Sequence, residues 1–105
     1  DEYTIVKPMF SLEDSLHIDT YFMSASGIDP VIGCTDLGFS EASVQNQMRH
    51  AARRTVVYAD SSKFGRASLV RVCPIEEVDC IITDRGLSEE QKNAFMERGA
   101  NLVIV

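Results

Sequence analysis

Tryptophan is absent from these 105 residues, which hold three prolines, three cysteines and ten lysines and arginines in all. The scarcity and scatter of basic side chains exclude a broad nucleic-acid surface, because phosphate binding depends on clustered Lys and Arg. Arg53 and Arg54 are the one adjacent pair, and the net charge is -6. By itself this chain is not expected to bind DNA. No stretch approaches the roughly 18 apolar residues of a membrane-spanning helix, and no signal peptide opens the chain. A start on Asp1 in place of Met reads as a piece of a longer protein.

Cys34, Cys73 and Cys80 form no Cys-x-x-Cys pair, and neither His17 nor His50 stands beside any of them. That spacing offers no disulfide framework and no zinc site; it fits reduced, buried thiols in a cytoplasmic protein. No metal or cofactor is expected. What remains is ordinary for a soluble globular chain: 45% apolar and 25% charged residues, enough for one small domain with a modest core. There is no internal repeat and no low-complexity tract.

Strand and helix signals alternate along the second half. Tyr3–Val6 reads as a short strand and Ser11–His17 as a turn of helix. Ile18–Ala25 reads as a buried strand closed by Gly27 and the Asp29-Pro30 turn. Pro30, Gly33 and Gly38 interrupt the segment from Ile28 to Phe39, which predicts a loop. Ser40 is placed to cap a helix reaching about Arg54, with Val44, Met48, Ala51 and Ala52 on one face. Thr55–Ala59 is a β-branched run suited to a central parallel strand.

Ala67–Val72 and Val78–Thr83 predict two further strands. A last helix carries the capping box Ser88/Gln91 and ends at Gly99, with Leu87 and Phe95 as anchors. Asn101–Val105 opens one more strand. The pattern is that of an α/β fold with a mostly parallel sheet.

Within it, V-V-Y-A-D-S-S-K-F-G (Val56–Gly65) concentrates the chemistry. An apolar strand ends in Asp60, and two hydroxyls, Lys63, an aromatic and a glycine follow. Ligands of open α/β sheets bind beyond the carboxyl ends of the strands. Asp-Ser-Ser also turns a chain without any ligand, and local sequence leaves both readings open.

Five blocks taken together carry a resemblance. They are D-T-Y-F-M-S-A-S-G-I-D (Asp19–Asp29), G-C-T (Gly33–Thr35), E-A-S-V-Q-N-Q-M (Glu41–Met48), Y-A-D-S-S-K-F-G (Tyr58–Gly65) and V-D-C-I-I-T-D (Val78–Asp84). In order and spacing the chain from about Ile18 to Val105 resembles the effector-binding domain of the DeoR family, bacterial transcriptional repressors of sugar metabolism. The resemblance implies a Rossmann-like, mostly parallel sheet with helices on both faces, similar to the ribose-5-phosphate isomerase and CoA-transferase fold. It also implies a phosphorylated sugar or related metabolite as effector. Operator DNA would be bound through an N-terminal winged helix-turn-helix that these residues do not contain. On that reading residues 1–105 are the C-terminal part of the effector domain, and the intact regulator is a homo-oligomer.

The isomerases of this fold supply a comparison residue by residue. Their aspartate in G-A-D-E falls on Ser26, which brings no carboxylate. Glu41 takes the place of the glutamate base, and Lys63 that of the lysine in D-E-S-K. Two of three groups remain, which favours binding over turnover; a sugar-phosphate isomerase is the alternative.

The candidate ligand residues are therefore Lys63, Asp60, Glu41, Ser26, Gly27, Gly33 and Thr35, with Thr35 and the further Asp84 as weaker ones and Asp29 read as a cap of the Pro30 turn. Each has a plain reading beside the functional one. Glu41 complements a helix dipole, Gly27 and Gly33 serve as turn glycines, Asp60 turns the chain, and Lys63 is a solvated surface lysine.

Overall fold

The structure, a computed structural model, describes residues 16–105. The strand expected at Tyr3–Val6, and most of the helical turn expected at Ser11–His17, lie outside the described residues. A four-stranded parallel sheet forms the centre, in the order β1-β4-β6-β7. Its strands are β1 (Ile18–Ser24), β4 (Ala52–Tyr58), β6 (Cys80–Thr83) and β7 (Leu102–Ile104). A small antiparallel sheet joins β2 (Gly27–Asp29), β3 (Gly33–Asp36) and β5 (Val70–Cys73). Helix α1 (Phe39–Ala51) leads into β4, and α2 (Glu89–Glu97) links β6 to β7. The result is a mixed α/β fold with a parallel sheet flanked by helices.

β4 lies between β1 and β6, as its unbroken β-branched run predicts; Thr55, Val56 and Val57 are all buried. Polar groups fix where its pairing with β6 starts. The Asp79 carboxylate accepts from Thr55 N at 2.7 Å, Asp79 N donates to Thr55 O at 2.9 Å, and Asn101 Nδ2 donates to Asp79 O at 3.3 Å. Together these pin the middle of β4 to the amino ends of β6 and β7.

Met23, Val57 and Ile81 stand in line across three strands and pack with Phe64, Leu87 and Phe95. The Phe64 and Phe95 rings meet edge to face with centroids 5.1 Å apart, an arrangement that contributes about 0.5–1.5 kcal/mol beyond area burial. Helix α2 begins and ends as its sequence predicts. Ser88 and Gln91 form a reciprocal capping box, and Gly99 takes the left-handed φ of +82°.

The stretch Ile28–Phe39 is not a loop. Asp29 Oδ2 accepts from Val31 N (2.9 Å) and Ile32 N (2.8 Å), making the Pro30 segment a hairpin turn between β2 and β3. Strands of three and four residues are too short to show a period, so their turn residues dominate the sequence signal. The predicted strand Ala67–Val72 forms later, at Val70–Cys73, and runs antiparallel to β3 outside the parallel sheet.

Helix α1 also differs. Gly38, not Ser40, is its N-cap, without a side-chain cap bond, and it ends at Ala51. Ala52 and Arg54 pair with Ile18 and Thr20 of β1, and that sheet pairing outcompetes a further helical turn. Its buried residue is Ala42, whereas Val44 is half exposed. A methyl side chain lets the helix lie close to the strands.

Candidate functional site

Strand register brings the carboxyl ends of β1 and β4 side by side, with Ser24 opposite Tyr58. Two residues further on, the chains carry Ser26 and Asp60 respectively. β6 ends next to β4, and Asp84 follows its last residue. The polar edge expected from Val56–Gly65 is thus shared by three strands. Beyond it, Ile28 bridges to Phe64 and Gly65 N donates to Ile28 O at 2.8 Å. This contact holds the Lys63 turn against β2.

The Lys63 turn is built by two carboxylates. Asp60 is the N-cap of a single 3₁₀ turn, Ser61–Lys63; its Oδ1 accepts from Ser62 N at 2.8 Å and from the Ser62 hydroxyl. Asp84 Oδ2 accepts from Ser61 N at 3.0 Å, and Asp84 Oδ1 accepts from Gly86 N at 2.7 Å. A side chain at Gly86 would meet Ser61 Oγ at 2.2 Å, so the two loops interlock.

The Ser62 hydroxyl and then the Ser62 amide hold the Asp60 carboxyl below its ordinary pKa, with Lys63 adding to the effect. The amides of Ser61 and Gly86, then the Ser61 hydroxyl, do the same for Asp84. Both stay ionised and act as acceptors. Among the described residues the Lys63 ammonium has no ion pair within salt-bridge distance. A half-buried cation beside this ordered turn is available to an anion.

At the carboxyl end of β1, Ser24, Asp36, Ser40, Glu41, Val44 and Gln45 line an open cleft of about 460 Å³. Ser26 Oγ donates to Asp36 Oδ1 at 2.8 Å, and the same oxygen accepts from Leu37 N. Gln45 Nε2 donates to Ser24 O at 3.2 Å, leaving its buried Oε1 without a partner among the described residues. The Glu41 carboxylate folds back over Gly38, where a Cβ would lie 2.1 Å from its Oε1. That places its charge at the start of α1, where it complements the helix dipole, while the residue also lines the cleft.

The remaining candidates belong to the small sheet. Thr35 is buried; its Oγ1 donates to Gly27 O (2.9 Å) and accepts from Ser68 N (2.8 Å). A Cβ on Gly27 would stand 2.7 Å from Arg66 O, and one on Gly33 2.2 Å from Cys73 O. These three hold the small sheet together and bring β2 close to the Arg66–Ser68 segment. Asp29 is occupied by its turn. Ser26 and Asp60 thus follow adjacent strand ends and Lys63 shares the Asp60 turn, while Glu41 lines the cleft with Ser24, and Gly27, Gly33 and Thr35 belong to the small sheet.

Sequence reasoning did not single out Asp36, Ser24 or Gln45. Asp36 had one usable signal: it follows the G-C-T block directly and precedes the helix start. Among the described residues no group of three or more His, Cys, Asp and Glu side chains is arranged to hold a metal ion, and no helix is long and apolar enough to cross a membrane.

The profile of the DeoR C-terminal sensor domain matches residues 4–85. The chain belongs to this family. The sensor domain is similar to the HTH-type transcriptional regulator GlpR of Haloferax volcanii, 30% identical over 89% of this chain and 36% of that protein. It is 31% identical to the HTH-type transcriptional regulator IolR of Bacillus subtilis, over 73% of this chain and 31% of that protein. To the L-fucose operon activator of Haemophilus influenzae it is 32% identical, over 70% of this chain and 30% of that protein. The chain spans about a third of the length of these relatives. The family match covers the whole edge from Ser24 to Asp84 and stops before α2.

Proposed function

We propose that this edge binds a phosphorylated sugar or related metabolite and that occupancy controls DNA binding by a separate domain of a sugar-metabolism regulator. The single observation that carries the reading is Lys63, a cation without an ion pair among the described residues, on a turn ordered by Asp60 and Asp84. A compact ammonium there pairs with a phosphate group. The cleft at the carboxyl end of β1 offers Asp36, Glu41, Ser24 and Ser40 as partners for sugar hydroxyls. The net charge of -6 agrees with DNA contacts being made elsewhere, and relatives named as HTH-type regulators support that division of labour. The regulator acts in the cytoplasm as a homo-oligomer, whose two-fold symmetry would match paired operator half-sites.

Binding without turnover is the better reading of the same groups. The carboxylate bonded to Ser26 belongs to Asp36, and one of its oxygens is already engaged by two hydrogen bonds. Thermal denaturation of the intact protein against a panel of sugar phosphates tests the proposal. A true effector at about 100 times its dissociation constant stabilises the protein by roughly 2.7 kcal/mol. The proposal fails if no member of the panel shifts the melting curve. Ketose–aldose interconversion that vanishes in Glu41→Gln would instead establish the isomerase.

A further inference from the structure

Cys34 and Cys73 are direct cross-strand partners in the antiparallel pair β3/β5. Both are free thiols and both are buried, at 0% and 2% exposure. Directly opposed residues of an antiparallel pair stand about 4.5–5.5 Å apart at Cα, inside the roughly 4.4–6.8 Å that a disulfide spans. We propose that Cys34 and Cys73 are a reversible oxidation site, closing an intrachain disulfide between β3 and β5 in response to a hydroperoxide.

The surroundings assign the two roles. The neighbouring Cys73 thiol, and then burial, raise the Cys34 thiol, while Cys34 lowers that of Cys73. Arg49 and Arg71 lower Cys73 further, against burial and the Glu77 carboxylate, which raise it. Arg49 itself pairs with Glu77 at 3.1 Å. Cys73 is therefore the attacking thiolate. Its sulfur attacks the peroxide O–O bond, forming Cys73 sulfenic acid and releasing an alcohol, or water from hydrogen peroxide, once the leaving oxygen takes a proton. The Cys34 thiol then attacks the sulfenic sulfur. An S–S bond forms, the S–O bond breaks, and the thiol proton leaves with the hydroxyl as water.

Strands of three and four residues open locally more readily than long central ones, which gives the oxidant access. Cys80 takes no part. It pairs with Val56 inside the parallel sheet and is partnered by no cysteine. The bond would join β3 to β5 one residue before Thr35, on the strand that ends in Asp36 of the cleft.

The test is peptide mapping of the folded, intact protein after brief treatment with hydrogen peroxide and alkylation of the remaining thiols. The expected result is a cross-linked pair of peptides holding Cys34 and Cys73, lighter by two hydrogens and separated by dithiothreitol, with Cys80 alkylated. Cys80→Ser should yield the same cross-link. The proposal is overturned if Cys34 and Cys73 both remain alkylatable while exposed methionines oxidise. It is equally overturned if the cross-link forms only in denaturant, or if Cys80 is the cysteine oxidised.

Discussion

The Ser26 hydroxyl donates to the Asp36 carboxylate at 2.8 Å, tying the segment after β1 to the end of β3. The bond joins a hydroxyl to a carboxylate carried by a different strand of the fold. Ser26→Ala should cost about 1 kcal/mol in chemical denaturation, the usual worth of one hydrogen bond. Ser26→Asp should be worse at neutral pH, because two carboxylates would meet, and should recover in acid as the pair takes up a proton. Equal stability of Ser26→Asp and wild type at neutral pH would refute the contact.

The Lys63 turn should loosen in acid. Asp60 and Asp84 both have folded pKa values below their ordinary ones. Their contribution is therefore complete above the unfolded value of about 3.9 and is lost as the pH falls through the lower folded values. Amide exchange at Ser61, Ser62 and Gly86 should accelerate over that acid window. In Asp84→Asn the Ser61 and Gly86 amides should be less protected already at neutral pH, with a flatter dependence.

Gly33→Ala should destabilise by roughly 1–3 kcal/mol. The position has a φ of +105°, and an added Cβ would lie 2.2 Å from Cys73 O, a backbone atom with little room to move. Unchanged urea midpoints for Gly33→Ala would mean that β3 and β5 do not meet as described.

Phe95→Ala should cost about 3–5 kcal/mol, the usual range for a large side chain removed from a packed core. Phe95 is 1% exposed and stacks edge to face on Phe64, the residue after Lys63. The same substitution should weaken ligand binding indirectly, since the ring supports the Lys63 turn from below. Denaturation and binding measured on one preparation check both.

Elements with a local pattern were legible from sequence, the short β6 and β7 among them, whereas the β2/β3 hairpin was not. The Thr55–Tyr58 run and the Ser88/Gln91 box state their structure locally, through β-branching and a cap. β2 and β3 depend on pairing with each other and with Val70–Cys73, some 35 residues on, which no window of sequence displays. The end of α1 was misplaced for the same reason: helical spacing through Ala52 loses to β1 pairing.

In the candidate site, Asp60 and Lys63 were visible because strand and polar turn adjoin in sequence. Asp36 and Gln45 were not, since they reach the cleft from a hairpin and a helix whose placement is tertiary. Thr35 was visible, yet its hydroxyl is taken up by Gly27 of β2 and by Ser68 just before β5.

The central claim is that Lys63 recognises the phosphate of a sugar-phosphate effector. Calorimetric titration of the intact protein with the sugar phosphate that stabilises it most, using wild type and Lys63→Ala, tests it most directly. The expected result is a loss of about tenfold or more in affinity, at least about 1.4 kcal/mol, with the substituted protein still folded. Equal affinity for both proteins would contradict the claim.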